Sequence, residues 1–201
     1  ISHEPAFIYD EEYCGESRAS KLARLRSAMG DCQHHIITSL DDIVWLFNIR
    51  GNDVDCNPVV LSYALINQDN AILYVQDNVV DVKTEAILKR DSIIIRAYND
   101  IYEDVKKLTG KVLLDDQIVN YQIFNNLNCE IKTAPNPTQH FKAIKNETEI
   151  KATKNAHIKD GVAMTKFMYW LKNNVGKIEL DEVTISDKLA AFRKEQNEFF
   201  D

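Results

Sequence analysis

One segment in the first third of the chain holds the polar residues whose types best suit molecular recognition. Arg50 follows an apolar stretch, and a turn-rich loop then carries Asn52, Asp53 and Asn57 before Pro58. An arginine guanidinium binds carboxylates with charge-assisted, often bidentate hydrogen bonds, and loops between buried elements often hold recognition groups. Arg50 is therefore a candidate for contact with a binding cleft or with a neighbouring domain.

The same loop also has a purely structural interpretation. Arg50 and Asp53 would pair locally, and Asn57 would cap the turn that precedes Pro58. Asn, Asp and Gly supply turn conformations without any ligand, so turn chemistry explains most of this composition. Both interpretations stay open at this stage.

The histidines do not form a recognisable metal site. His157 and Asp160 are three residues apart on a predicted helix, so they share one face. One histidine and one carboxylate without further ligands are more typical of a solvated or interdomain pair. His34 and His35 are neighbours in a predicted strand, where successive side chains point to opposite faces and cannot share one metal.

No motif for nucleophilic or metal-assisted hydrolysis is present either, since the sequence contains neither GxSxG nor HExxH. The four cysteines lack the paired spacing of zinc sites, and we predict free, mostly buried thiols. The residues themselves thus predict no catalytic, metal-binding or cofactor-binding group in this chain.

The composition is typical of a globular protein and argues against nucleic-acid and membrane partners. The chain has 201 residues, of which 45% are hydrophobic and 27% charged, as in ordinary globular proteins. Its net charge of −7 comes from interleaved acidic and basic residues, which argues against a nucleic-acid partner. No stretch approaches the roughly 20 apolar residues of a membrane span. We expect a cytoplasmic protein without a membrane partner.

The apolar periodicity predicts an α/β fold with a mixed sheet of about six strands flanked by helices. The predicted strands are 34–38, 59–66, 71–76, 92–96, 111–115 and 130–133, and the predicted helices are 17–29, 39–47, 82–89, 100–108 and 118–126. Ser17 suits the N-cap of the first helix, and Ser39 with Asp42 resembles a capping box at the second. Residues 1–12 carry no period and are predicted to be a linker, so this α/β domain covers residues 13–146.

The last part of the chain, residues 147–201, follows a different pattern. One long helix is predicted over 147–175, and a second starts near Thr184 or Ser186 and continues to the end. The apolar stripe of the second helix comprises Leu189, Phe192, Phe199 and Phe200. Two helices of this size rarely build a stable core alone. They are therefore expected to be the opening of another, incomplete domain.

Four blocks of sequence carry a family resemblance. The longest is LDDIVWLFNIRGNDVDCNPVVLSYALI at 40–66, and shorter ones are KLARLRSAM at 21–29, AIKN at 143–146 with AHIKDGVA at 156–163, and KL with FRKEQNEF at 188–199. In their order along the chain, these blocks resemble the middle domain of the three-domain aminopeptidase P enzymes of the creatinase/prolidase family, and the first helices of their catalytic domain. A departure is Gly161, where the family often carries Ala.

The resemblance implies a creatinase-type non-catalytic domain followed by the first helices of a truncated pita-bread catalytic domain. It implies a parent metalloaminopeptidase that removes the N-terminal residue from peptides with proline in second position. Such enzymes hold two manganese ions and are commonly homodimers, and their metal ligands lie downstream of the blocks matched here. This segment would then bind no metal and would serve as a scaffold shaping the active-site entrance. The alternative is a non-catalytic binding or assembly module on the same fold.

Overall fold

The computed structural model describes residues 2–197 and 199. The chain divides into two compact units, Ile1–Lys145 and Asn146–Asp201. The strands are β1 (Phe7–Ile8), β2 (His34–Ile37), β3 (Ile49–Arg50), β4 (Ser62–Asn67), β5 (Ala71–Val75), β6 (Ile93–Ala97), β7 (Lys111–Leu114) and β8 (Glu130–Thr133). The α-helices are α1 (Glu11–Cys14), α2 (Arg18–Ala28), α3 (Leu40–Phe47), α4 (Val82–Arg90), α5 (Ile101–Asp104), α6 (Tyr121–Asn126), α7 (Pro137–Ala143), α8 (Glu147–Asn174) and α9 (Glu182–Lys194).

A six-stranded mixed sheet forms the centre of the first unit, with the strand order β6-β5-β4-β2-β7-β8. Strand β4 runs antiparallel to both β2 and β5, whereas the pairs β2–β7, β5–β6 and β7–β8 are parallel. The hairpin between β4 and β5 is closed by a hydrogen bond from Asn67 N to Asn70 O of 2.9 Å. The predicted mixed sheet flanked by helices is confirmed.

The central strands of the sheet are buried on both faces, because their alternate side chains enter two separate cores. In β2, Ile37 belongs to the core that contains residues of α2, α3 and α4. The neighbouring Ile36 belongs to the core formed with α5 and α6. The helices therefore cover the sheet on both sides, which is the arrangement expected when parallel strand pairs are present.

A side chain caps the N-terminus of helices α2, α4, α6, α8 and α9. Ser17 caps α2 as predicted, since its Oγ accepts a hydrogen bond from Ser20 N at 3.2 Å. The predicted capping box at Ser39 is wrong, because its hydroxyl donates to the carboxylate of Asp42 and makes no hydrogen bond to the backbone of the first turn. The short Asp side chain at this position thus takes the hydroxyl away from the helix end.

The largest difference from the sequence prediction is α7. The sequence predicted no helix between the strand at 130–133 and residue 147, yet Pro137 occupies the start of one, where its fixed φ and missing N–H are tolerated. The other element boundaries differ less from the predicted ones. The strand predicted from residue 59 begins at Ser62, and α6 begins at Tyr121 because the Asn120 side chain caps it. The helix predicted over 100–108 is a short α-helix between two 3₁₀ turns.

Residues 2–12 pack against the sheet unit, whereas the sequence predicted a linker there. Phe7 and Ile8 pair antiparallel with Arg50 and Ile49, and Ala6 is buried and donates its N–H to Val79 O at 2.8 Å. A two-residue strand is too short to show a period, which explains why the segment had no readable pattern.

The second unit consists of α8 and α9. A capping box at Asn146 and Glu149 begins α8, and one at Asp181 and Thr184 begins α9. Helix α9 starts slightly earlier than predicted and ends at Lys194, although the sequence predicted a helix to the end of the chain. Phe200 of the predicted stripe lies outside the described residues.

Candidate functional site

The loop between β3 and β4 is the segment that the sequence marked for recognition, and the end of α3 positions it. Helix α3 stops at Asn48, which adopts a left-handed conformation with φ of 48°. The Asn48 side chain donates to Glu16 O at 2.8 Å and accepts from Lys21 Nζ at 2.6 Å. The chain therefore leaves the helix in a fixed direction.

Gly51 and Asp53 close the loop onto β4. A Cβ added to Gly51 would lie 2.7 Å from Val60 Cγ2 and 3.2 Å from Val59 O, so a side chain does not fit there. The Asp53 carboxylate accepts from the backbone N–H groups of Leu61 at 2.7 Å and Glu4 at 3.2 Å. Asp53 thus stabilises the loop and its contact with the N-terminal segment.

The tip of the loop is a tight turn whose residues are exposed. Asn57 N donates to Val54 O at 3.0 Å, and Val59 N donates to Asn57 O at 2.7 Å. Asn57, expected to cap this turn, thus contributes its backbone. Cys56 adopts a positive φ of 60°, a conformation that non-glycine residues seldom adopt. Backbone bonds therefore shape the exposed tip.

Arg50, the candidate residue of this loop, is half-buried. Its guanidinium donates to Val44 O at 3.0 Å and to Ile49 O at 2.8 Å. Its Cζ atom lies 4.3 Å from the centroid of the Tyr9 ring, in a cation–π contact. A cation beside the last carbonyls of α3 is electrostatically favourable. These contacts give Arg50 a role in holding α3, β3 and the N-terminal segment together.

A buried lysine behind the loop was not predicted as a site residue. Lys21 is 1% exposed, and its Nζ donates to Trp45 O at 2.9 Å and lies 4.2 Å from the Trp45 ring centroid. Lys21 also holds Asn48, so the orientation of the loop depends on it. Helical spacing could have revealed it, because Lys21 lies one turn before the buried Leu25 on the apolar face of α2.

A second unpredicted polar cluster lies at the other end of α3. Asp42 is 1% exposed and forms an ion pair with Lys142 of α7, the Nζ–Oδ1 distance being 3.0 Å. Asn136 Nδ2 lies 3.4 Å from Asp42 Oδ2 and 3.3 Å from Ser39 Oγ. Burial lowers the pKa of Lys142, but Asp41 and Asp42 outweigh it and hold that pKa above its usual value. The ammonium therefore stays charged beside the buried carboxylate.

The two neighbouring histidines occupy different environments. His35 is fully buried, and its Nδ1 lies 3.0 Å from Leu113 O. Burial lowers the pKa of His35 to about 4, against a smaller opposing effect of that hydrogen bond. His34 is half-buried between Asn67 Oδ1 at 2.6 Å and Thr109 O at 3.1 Å. Both are engaged in holding the sheet together.

The predicted pair on α8 is not brought together as a site. Asp160 Oδ1 accepts from Arg193 Nε of α9 at 2.7 Å, and His157 is exposed. Cys14, Cys32, Cys56 and Cys129 are free thiols, as predicted, but only the first two are buried. Burial raises the pKa of the Cys32 and Cys129 thiols, which disfavours the reactive thiolate.

Within residues 2–197 and 199, no three His, Cys, Asp or Glu side chains lie together in a way that would hold a metal ion. The described donors therefore do not fit a dinuclear metal centre. Among the helices in these ranges, none has both the length and the apolar character needed to cross a bilayer.

Comparison with known proteins assigns the fold to a family. Residues 1–149 match the creatinase/prolidase N-terminal domain. The chain belongs to this family. The match covers the whole sheet unit, including the loop at Arg50 and the helix α7.

Two relatives of similar sequence carry the same functional name. The chain is 34% identical to the probable Xaa-Pro aminopeptidase P of Neurospora crassa, covering 98% of this chain and 31% of the relative. It is 33% identical to the protein of the same name from Sordaria macrospora, covering 98% of this chain and 35% of the relative. The chain thus spans about a third of the length of these curated relatives.

Solved structures agree with this assignment. The X-prolyl aminopeptidase of Caenorhabditis elegans, described as a cytosolic enzyme with a di-nuclear active site, superposes with a TM-score of 0.90 at 26% identity. That superposition covers 98% of this chain and 34% of the C. elegans chain. The Xaa-Pro dipeptidase of Bacillus anthracis gives a TM-score of 0.61 at 17% identity over 89% of this chain and 49% of its own, which shows the shared fold.

Proposed function

We propose that the protein to which this chain belongs is a metal-dependent Xaa-Pro aminopeptidase that removes the N-terminal residue from peptides with proline in second position. The observation that carries the proposal is the match over 98% of the chain, at 34% identity, to a probable Xaa-Pro aminopeptidase P. The C. elegans neighbour, which shares the fold over the same fraction, is described as having a di-nuclear active site.

Within that enzyme, this chain serves as a non-catalytic scaffold that shapes the entrance to the active site. The absence of a metal-binding group among residues 2–197 and 199 supports this role, as does the use of polar loop residues for internal hydrogen bonds. The proposed division is a non-catalytic domain over 13–146 and the first helices of a catalytic domain over 147–201. The two manganese ions, the homodimeric assembly and the cytoplasmic location are proposed for the whole enzyme.

Arg50 is the proposed point at which this scaffold influences the cleft. Its hydrogen bonds to Val44 O of α3 and Ile49 O of β3 fix the turn between these two elements, so a change there would displace the loop that follows. In the whole enzyme, Arg50→Lys keeps the charge but loses the planar fork of the guanidinium. We expect a raised KM for Xaa-Pro peptides with a smaller change in kcat.

The proposal is tested by release of the first residue from an Xaa-Pro-Xaa peptide with added manganese. Three samples are compared: the isolated 201-residue chain, the full-length product of its gene, and the C. elegans enzyme as positive control. Release by the full-length product but not by the isolated chain would support both the activity and the scaffold role. Release by the purified isolated chain would contradict the scaffold role, and inactivity of both would favour a non-catalytic binding or assembly module.

A further inference from the structure

Helix α7 is the last element of the sheet unit, and apolar packing holds it weakly. Within α7, Thr138 is the one buried residue. Phe141 is half-buried against the core, and Arg24 lies over its ring with its Cζ atom 4.5 Å from the centroid. A seven-residue helix is not stable in isolation, since even helices of about 12 residues are marginal in water.

The attachment of α7 is instead mainly polar. Lys142 pairs with the buried Asp42 at 3.0 Å and also bonds the exposed Asp41. Asn136, which precedes the helix and is 2% exposed, contacts Ser39 and Asp42. All of these partners belong to one turn at the start of α3.

A buried carboxylate makes such an attachment sensitive to a single change. The Asp42 side chain is 1% exposed, while that of Lys142 is 26% exposed. Removing one partner of a buried ion pair is costly because it leaves the other charge without compensation. Elements with few buried apolar contacts open locally before the rest of a domain. The stability of α7 against local opening therefore depends on Asp42 and Lys142.

We propose that α7 is a detachable strap, latched to α3 by the Asp42–Lys142 ion pair, that sets the length of the connection between β8 and α8. With the strap bound, the free connection to α8 comprises residues 144–146. With the strap released, it comprises residues 134–146. The latch thus gives the chain two discrete connection lengths without disturbing the sheet.

Hydrogen–deuterium exchange of the full 201-residue chain, read by mass spectrometry, tests the strap. Asp42→Asn keeps the shape and removes the charge, and we expect amide exchange over residues 138–143 to rise at least about tenfold. Exchange in β2 and β4 should change less than about twofold in the same sample. Asp41→Asn is the comparison variant, because it removes the exposed carboxylate that also bonds Lys142 and leaves the buried Asp42 pair in place. It should leave α7 exchange within about twofold of wild type.

Lys142→Met supplies a second variant in case Asp42→Asn fails to fold, and it should also accelerate exchange selectively in α7. Three results would overturn the proposal: unchanged exchange in α7, an equal rise in β2 and β4, or an equal response to Asp41→Asn. The first would show that the latch carries no stability, and the second that the ion pair supports the whole domain. The third would show that an exposed pair holds the helix.

Discussion

Helices α3 and α8 represent two units that use their apolar residues very differently. Helix α3 has eight residues and buries six consecutive ones, Asp42–Phe47. Helix α8 has 28 residues and buries two, Ala163 and Phe167, while leaving large apolar side chains exposed at Ile150, Ile158, Val162, Met164, Met168 and Tyr169. The apolar side chains of the first unit thus form a buried core, whereas most of the large apolar side chains of α8 face solvent.

The largest expected effect comes from truncating a buried side chain in the first unit, with truncation of an exposed side chain in the second unit as the comparison. Leu46→Ala removes a fully buried side chain of α3 and should lower the free energy of unfolding by about 2–5 kcal/mol. Tyr169→Ala, at a position 75% exposed on α8, should change it by less than about 0.5 kcal/mol. Urea unfolding measures both, and equal losses would contradict the difference between the units.

The second prediction concerns pH, because the buried His35 binds a proton less readily in the folded protein than in the unfolded one. Its pKa is about 4 in the fold, against an ordinary value of 6.5. The unfolded state therefore binds more protons between these values. Stability should be complete above pH 6.5 and fall by about 3 kcal/mol as the pH drops to about 4.

Urea unfolding across this pH range, with His35→Gln beside wild type, isolates that contribution. The variant should lose most of the pH dependence between pH 4 and 6.5. His157→Gln on α8 is the matched control and should keep the wild-type slope, because that side chain is exposed. If both variants kept the wild-type slope, His35 would not be the source of the pH dependence.

A pair of glycines gives the third prediction, in which the two units should respond with opposite signs. Gly51→Ala would place its Cβ 2.7 Å from Val60 Cγ2, so we expect a loss of about 1–3 kcal/mol from overpacking. Gly161→Ala on α8 meets nothing within 4 Å and should gain up to about 1 kcal/mol in helix propensity. Thermal unfolding of the two variants measures both changes in stability. A loss of stability in Gly161→Ala would show that α8 is closely packed at this position.

A small effect is expected at the surface of the second unit. Arg193 and Asp160 form an ion pair whose side chains are 41% and 47% exposed. Exposed pairs contribute little, so Asp160→Asn should cost less than about 1 kcal/mol, and less still at high salt. Urea unfolding at low and high salt measures this cost. A loss as large as that of Leu46→Ala would mean that polar contacts, and not apolar burial, hold α8 and α9 together.

Sequence periodicity predicted the sheet because its strands are short, mostly apolar runs separated by helices and turns. It predicted α8 because apolar residues recur at helical spacing along that segment. It missed α7, whose attachment comes from Lys142 and Asp42, residues far apart in sequence that no local pattern connects. It also missed Lys21, because a lysine within a helix suggests solvent exposure. Helical spacing places Lys21 on the apolar face of α2, but its contact with the Trp45 ring is visible only in the fold.

The loop at Arg50 shows how far functional sites could be predicted from the sequence. Its residue types allowed either recognition or turn chemistry, and sequence could not decide between them. The contact of Arg50 with Tyr9 depends on the antiparallel pairing of β1 with β3, whereas its hydrogen bonds to Val44 and Ile49 are local. That pairing involves two residues on each side and leaves no periodic signal.

Equilibrium titration with Mn²⁺ tests most directly the claim that this chain is a scaffold without a metal site. Free manganese is read by its paramagnetic resonance signal, with the full-length product of the gene as comparison. The account predicts that the 201-residue chain binds no stoichiometric manganese and that the full-length product binds two ions. Tight binding of two manganese ions by the isolated chain would contradict it.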